Sequence, residues 1–195
     1  VSSALRDEPG ARPVLSRSVA HHGAIWDVLR DEVDFAPGVQ LTREYIAHTG
    51  AAAVLALDTS PSQDLLDARV LLIRQYRHPA GATFWELPAG LLDKPGEDPV
   101  EAAHRELAEE TGYRAQTMRP LLDIHPSAGS SSERIRIHLA TDLTPVAVDF
   151  VREGEESEIE VRWAALHEVL EAIRAGDLTN ATLVAAVLAV RAFEA

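Results

Sequence analysis

The chain has 195 residues, enough for one domain with a full core or for a compact domain plus a small accessory one. It has no cysteine, which excludes disulfides, thiolate metal sites and a cysteine nucleophile, while 46% hydrophobic and 25% charged residues are ordinary for a globular protein. A formal net charge of −13 argues against non-specific nucleic-acid binding, and an acidic protein that takes an anionic ligand needs a divalent cation in between.

Residues 1–20, with Pro9, Gly10 and Pro13, show no sustained period and predict a flexible N-terminal arm without the apolar run of an export signal. Between 21 and 48, strand-like stretches at 26–29 and 41–46 flank a Pro37-Gly38 turn, the pattern of a small antiparallel β accessory segment. A buried strand is expected at 51–57, a loop at 60–64 and another strand at 70–77. Asp98 suits a helix N-cap, Pro99 the first helical position and Glu101 a capping box, and the helix should end at Gly112. Strands near 118–124, 134–140 and 158–163 lead to two closing helices. In the first, Leu166, Val169, Leu170 and Ile173 fall at i, i+3, i+4 and i+7. The second, over 181–193, is apolar almost all round and belongs in the core or at a subunit interface. No run approaches the roughly 20 apolar residues of a membrane span, so a cytoplasmic protein with no membrane partner is expected. Strands and helices mix without regular βαβ alternation, an α+β organisation, and the absence of G-x-G-x-x-G argues against a Rossmann domain.

The chemistry concentrates in Gly90-Leu-Leu-Asp-Lys-Pro-Gly-Glu97, followed after seven residues by Arg105-Glu106-Leu107-Ala108-Glu109-Glu110-Thr111-Gly112-Tyr113. On a helix, Glu106, Glu109 and Glu110 share one face, where like charges repel unless something sits between them. Mg²⁺, a hard cation that prefers oxygen ligands and keeps several waters, suits such a cluster facing a phosphate. Arg105 can pair with Glu109 one turn on. A solvated acidic face is the plain alternative for two or three glutamates. Five fixed residues at set offsets would match by chance on the order of once in 10⁴ chains. The eight histidines show no metal-ligand spacing, and Ser130-Ser131-Ser132 lacks a nucleophile elbow.

This pattern resembles the Nudix box, G-x5-E-x7-R-E-U-x-E-E-x-G-U with U a bulky apolar residue. One departure is that six residues, not five, separate Gly90 from Glu97. The resemblance implies a Nudix fold, a mixed β-sheet sandwich flanked by helices, over residues 49–195. It also implies metal ligation by Glu106, Glu109, Glu110 and the backbone carbonyl of Ala89, with Gly90, Glu97, Arg105 and Gly112 structural. The implied cofactor is Mg²⁺, or Mn²⁺ in its place.

Beyond the box, Gln75-Tyr76-Arg77-His78, Trp85-Glu86-Leu87-Pro88-Ala89-Gly90, Gly129-Ser-Ser-Ser-Glu133 and Glu155-Glu156-Ser157-Glu158 resemble the ADP-ribose pyrophosphatase branch of that family. Ala128 stands where the branch often has proline. The implied reaction is hydrolysis of the diphosphate of ADP-ribose to AMP and ribose 5-phosphate, with Glu156 as base on an acidic loop and Glu109 assisting. Arg77, Glu86 and Glu133 would bind substrate, Trp26 and Arg43 would sandwich the adenine, and the chain would form a homodimer. Another nucleoside diphosphate derivative as substrate, or a non-catalytic ADP-ribose sensor, remain the alternatives.

Overall fold

Strands β1 (Val14–His21), β2 (Asp27–Ala36) and β3 (Val39–Ala47) form an antiparallel sheet in chain order. The computed structural model describes residues 5–60, 62, 64–147 and 157–193. The first strand replaces the C-terminal part, residues 14–20, of the flexible arm expected over residues 1–20. All eight of its residues are exposed, so no burial alternation marks it in the sequence. It is held by pairing with β2, from Val14↔Val33 to His21↔Val28, and by the Arg17 guanidinium forking onto Asp31 at 2.7 Å. The turn at Pro37-Gly38 is as expected, with Gly38 at φ +77°. Ser127–Ser132 completes this first unit. Ile46 N donates to Ser130 O at 2.9 Å, and His48 N donates to Ser132 Oγ, 84 residues on, at 2.8 Å.

The second unit comprises Thr49–Pro126 and Glu133–Ala195. It holds β4 (Ala51–Asp58), β5 (Arg69–Arg77), β6 (Ala82–Glu86), β7 (Ala89–Leu91), β8 (Tyr113–Ile124), β9 (Ile135–Pro145) and β10 (Glu160–Ala165). Its helices are α1 (Pro99–Thr111), α2 (Leu166–Ala175) and α3 (Ala181–Phe193). The strands form one mixed sheet in the order β10-β5-β4-β9-β8, with β6 added to β5 and β7 to β4. The β4–β9 pairing is parallel, and the others are antiparallel. Strand β4 is buried along nearly its whole length, which places it at the centre.

Alternation along β4 sends successive side chains to opposite faces. Ala53, Leu55 and Leu57 join Ile137, Leu139, Leu166, Val169, Leu183 and Val187 beneath α2 and α3. Ala52, Val54 and Ala56 join Leu71, Ala140, Ala102, Ala103 and Leu107 beneath α1. The apolar helix α3 therefore belongs to the core of its own chain, although Leu188 and Phe193 stay exposed. Strands β6 and β7, of five and three residues, are too short to show a period. Among the described residues, no helix is long and apolar enough to cross a membrane.

Candidate active site on helix α1

Helix α1 begins and ends where its sequence dictates. The Asp98 carboxylate accepts from Val100 N at 2.9 Å, Pro99 opens the first turn, and Gly112 closes the helix at φ +72°, its N–H donating to Ala108 O. The extra residue before Glu97 is absorbed in a turn, with Gly96 at φ +80° and Glu97 N donating to Lys94 O at 3.1 Å. The register of the carboxylates is unaffected.

Burial of Ala102, Ala103, Leu107 and Ala108 against the sheet fixes the rotation of α1 and sets Glu106 and Glu110, one turn apart, against β7. Glu110 is buried and accepts from Ala89 N at 2.9 Å, tying the last turn of the helix to β7. Glu106 lies against Gly90 so closely that a Cβ there would be 2.0 Å from its Cδ and Oε1. The glycine is thus a clearance for a carboxylate, and its φ is not one that demands glycine.

Arg105 pairs with Glu109, as the spacing suggested, at 3.2 Å, and also contacts Glu106. Its main partner is Glu97, gripped through Nε and Nη2 at 2.9 and 3.0 Å. These contacts hold the guanidinium pKa above its ordinary value, the bond to Glu97 contributing most. The same bond holds Glu97 below the usual carboxylate range. One cation therefore bonds three carboxylates, Glu97, Glu106 and Glu109.

Among the described residues, no three acidic or imidazole groups converge at metal-binding spacing, because Arg105 draws on Glu106 and Glu109, and Ala89 N on Glu110. The donor chemistry nonetheless fits a hard divalent cation. Two carboxylates, Glu106 and Glu110, lie beside the backbone at Ala89 and Gly90, Glu109 is joined to Glu106 through Arg105, and the missing Cβ leaves room for Glu106 against that backbone.

The other expected residues fall into separate groups. Arg77 at the end of β5 and Glu86 at the end of β6 form a bidentate pair, Nε to Oε1 at 3.1 Å and Nη2 to Oε2 at 2.6 Å, with Glu86 buried. Glu133 is half-buried, and its carbonyl faces His125 Nδ1 at 3.0 Å. Trp26 stacks on His48 with centroids 4.8 Å apart, while Arg43 donates to Thr42 O at 2.9 Å. Arg43 lies opposite Asp31, several ladder positions from Trp26, so one chain does not bring that pair together. Glu156 lies outside the described residues. A cavity of about 430 Å³ lined by Asp58, Arg69, Tyr113, Asp142 and Trp163 lies near the far end of β4 and contains none of these groups. The sequence reading missed two features: the grip of Arg105 on Glu97 and the Gly90 clearance. Both join segments whose apposition no local spacing reveals.

The NUDIX domain family model matches residues 48–186. The chain is 38% identical to "ADP-ribose pyrophosphatase" of Mycobacterium tuberculosis (strain ATCC 25618 / H37Rv), over 91% of this chain and 82% of that protein. It is 32% identical to "ADP-ribose pyrophosphatase" of Bacillus subtilis (strain 168), over 82% and 81%. A solved structure, "Crystal structure of ADP compounds hydrolase", superposes with a TM-score of 0.76 over 96% of both chains at 23% identity, a likeness of fold. Nudix proteins generally need a divalent metal ion, in keeping with the carboxylates of α1. The chain belongs to the Nudix hydrolase family.

Proposed function

We propose that this protein hydrolyses the diphosphate linkage of ADP-ribose to AMP and ribose 5-phosphate with Mg²⁺, or Mn²⁺ in its place. The observation that carries the reaction is the apposition of Glu106 and Glu110 to the Gly90 and Ala89 backbone. The choice of ADP-ribose draws on the named relatives that span most of the chain. Glu106, Glu109, Glu110 and the Ala89 carbonyl would hold the metal. A divalent ion held there would supply Lewis-acid chemistry, easing deprotonation of a water and balancing phosphate charge.

Arg105 limits repulsion among the carboxylates and, through Glu97, anchors the first and last parts of the box to one another. Glu156 takes the proton of the attacking water. Arg77 offers a guanidinium to phosphate oxygens while Glu86 accepts from ribose hydroxyls. Glu133 supports the metal-side substrate contacts, and Trp26 and Arg43 stack on adenine in a homodimer. Exposed Leu15, Val19, Phe35 and Val39 on the first sheet favour such a dimer. We place the protein in the cytoplasm.

A substrate panel with and without Mg²⁺, read by chromatography, tests this reading. AMP and ribose 5-phosphate from ADP-ribose only in the presence of metal are expected. A dominant rate on GDP-mannose or a dinucleoside polyphosphate would overturn the substrate, and unchanged turnover by Glu156→Gln would remove that residue as the base.

A further inference from the structure

Gln75 sits in β5 between Ile73 and Arg77 on the same sheet face, opposite Phe84 of β6. It is 9% exposed, and its Oε1 is buried with no hydrogen-bond donor among the described residues. Its predecessors Val70, Leu71, Leu72 and Ile73 are fully buried apolar side chains, the residue types this strand interior favours. A carbonyl oxygen left without a donor there costs stability, and such a conflict in a folded protein calls for a partner from outside the chain or for a functional use.

The neighbours indicate which partner. On the same face, the Arg77–Glu86 pair presents a guanidinium and a carboxylate side by side. That combination matches a phosphate-bearing sugar, the cation serving the phosphate and the carboxylate accepting from hydroxyls. A neutral carbonyl beside them adds an acceptor without adding charge, so it distinguishes a hydroxyl from a hydrogen without repelling the phosphate.

We propose that Gln75 is a specificity-determining residue whose Oε1 accepts a hydrogen bond from a hydroxyl of the terminal sugar of the nucleoside diphosphate. The proposal rests on the substrate reading above. Wild type and Gln75→Met, which keeps the unbranched shape and removes the acceptor, are compared on ADP-ribose and on analogues lacking one terminal-ribose hydroxyl. Wild-type kcat/KM should fall at least about tenfold for one of the analogues. Gln75→Met should treat that analogue and ADP-ribose alike, lose about tenfold on ADP-ribose mainly through KM, and melt ~3 °C higher because the orphaned acceptor is gone. Wild-type indifference to every deoxy analogue overturns the proposal whether or not the variant folds, as does a Gln75→Met enzyme that keeps wild-type discrimination. Should wild type cleave another nucleoside diphosphate sugar instead of ADP-ribose, the substrate reading falls alone, and deoxy analogues of that sugar decide the role of Gln75.

Discussion

Two charged clusters, one in each unit, use the same chemistry in opposite proportion. On α1 the single guanidinium of Arg105 serves Glu97, Glu106 and Glu109, with Glu110 close behind in the same helix. In the N-terminal sheet the single carboxylate of Asp31, 4% exposed, takes two bonds from Arg17 and one from Tyr45 Oη at 3.2 Å. Asp31 is saturated by its donors and stitches three strands that are too few to bury an apolar core of their own. The carboxylates of the α1 face outnumber the one arginine that α1 itself supplies, and like charges held on one helix face are eased when a further cation joins. Stoichiometry more than burial separates the cluster that holds a fold from the one equipped to receive a ligand.

The sharpest way to break this contrast is Glu110→Gln. Glutamine can still accept from Ala89 N, so Tm should hold while kcat falls by at least about a hundredfold. Near-normal turnover would show that the surplus charge on α1 has no catalytic use. Next in size is Gly90→Ala. The added Cβ meets only the far end of Glu106, so the side chain swings aside and the fold survives. Activity at fixed Mg²⁺ should drop roughly tenfold or more and recover in part at higher metal concentration. A Gly90→Ala enzyme with the wild-type metal titration would reject the clearance argument.

Asp31→Asn tests the other cluster. Tm should fall by about 3 °C with kcat per folded molecule unchanged, because the bonds lost are structural. A loss of kcat without a change in melting would reverse the assignment. The smallest expected effect is on pH dependence. His138, buried on β9, is held below its ordinary pKa by burial, which outweighs the opposing pull of the nearby backbone at Ala53 and Arg136 and of the charges on Asp123 and Asp98. The unfolded chain therefore takes up this proton first as pH falls, and the stability contribution is full above about 6.5 and declines below it. Glu97 adds a second loss at lower pH, starting near its unfolded value of about 4.3 and continuing as pH falls through its depressed folded value. Urea midpoints measured from pH 7 to 5 should slope less in His138→Gln than in wild type. Equal slopes would exclude the histidine.

The same contrast explains what the sequence reveals. Helix α1 is legible because its caps, its apolar face and its carboxylates all repeat within a few residues, so local spacing implies geometry. The strands β4 and β5 are legible through their apolar runs, and α2 through its period. Strand β1 is not, since all its residues are exposed and its register depends on Arg17 finding Asp31 fourteen positions on. The docking of Ser127–Ser132 onto β3 depends on contacts between segments distant in sequence, with His48 and Ser132 84 positions apart. The pairing of Arg77 with Glu86 and the orphaned oxygen of Gln75 likewise arise from strand registry, which side-chain patterns on a single strand do not encode.

The alanines beneath α1 give the site a mechanical property. Ala52 and Ala56 of β4 and Ala102 and Ala103 of α1 are all fully buried, so helix and sheet meet almost backbone to backbone. A mount of this kind has little compliance, because no long side chains are present to rearrange under load. Enlarging one of these alanines would lift the helix and widen the gap at Gly90 without touching a polar atom. The tolerance of the carboxylate array is thus machined from the hydrophobic side of the helix, by residues that never meet the substrate.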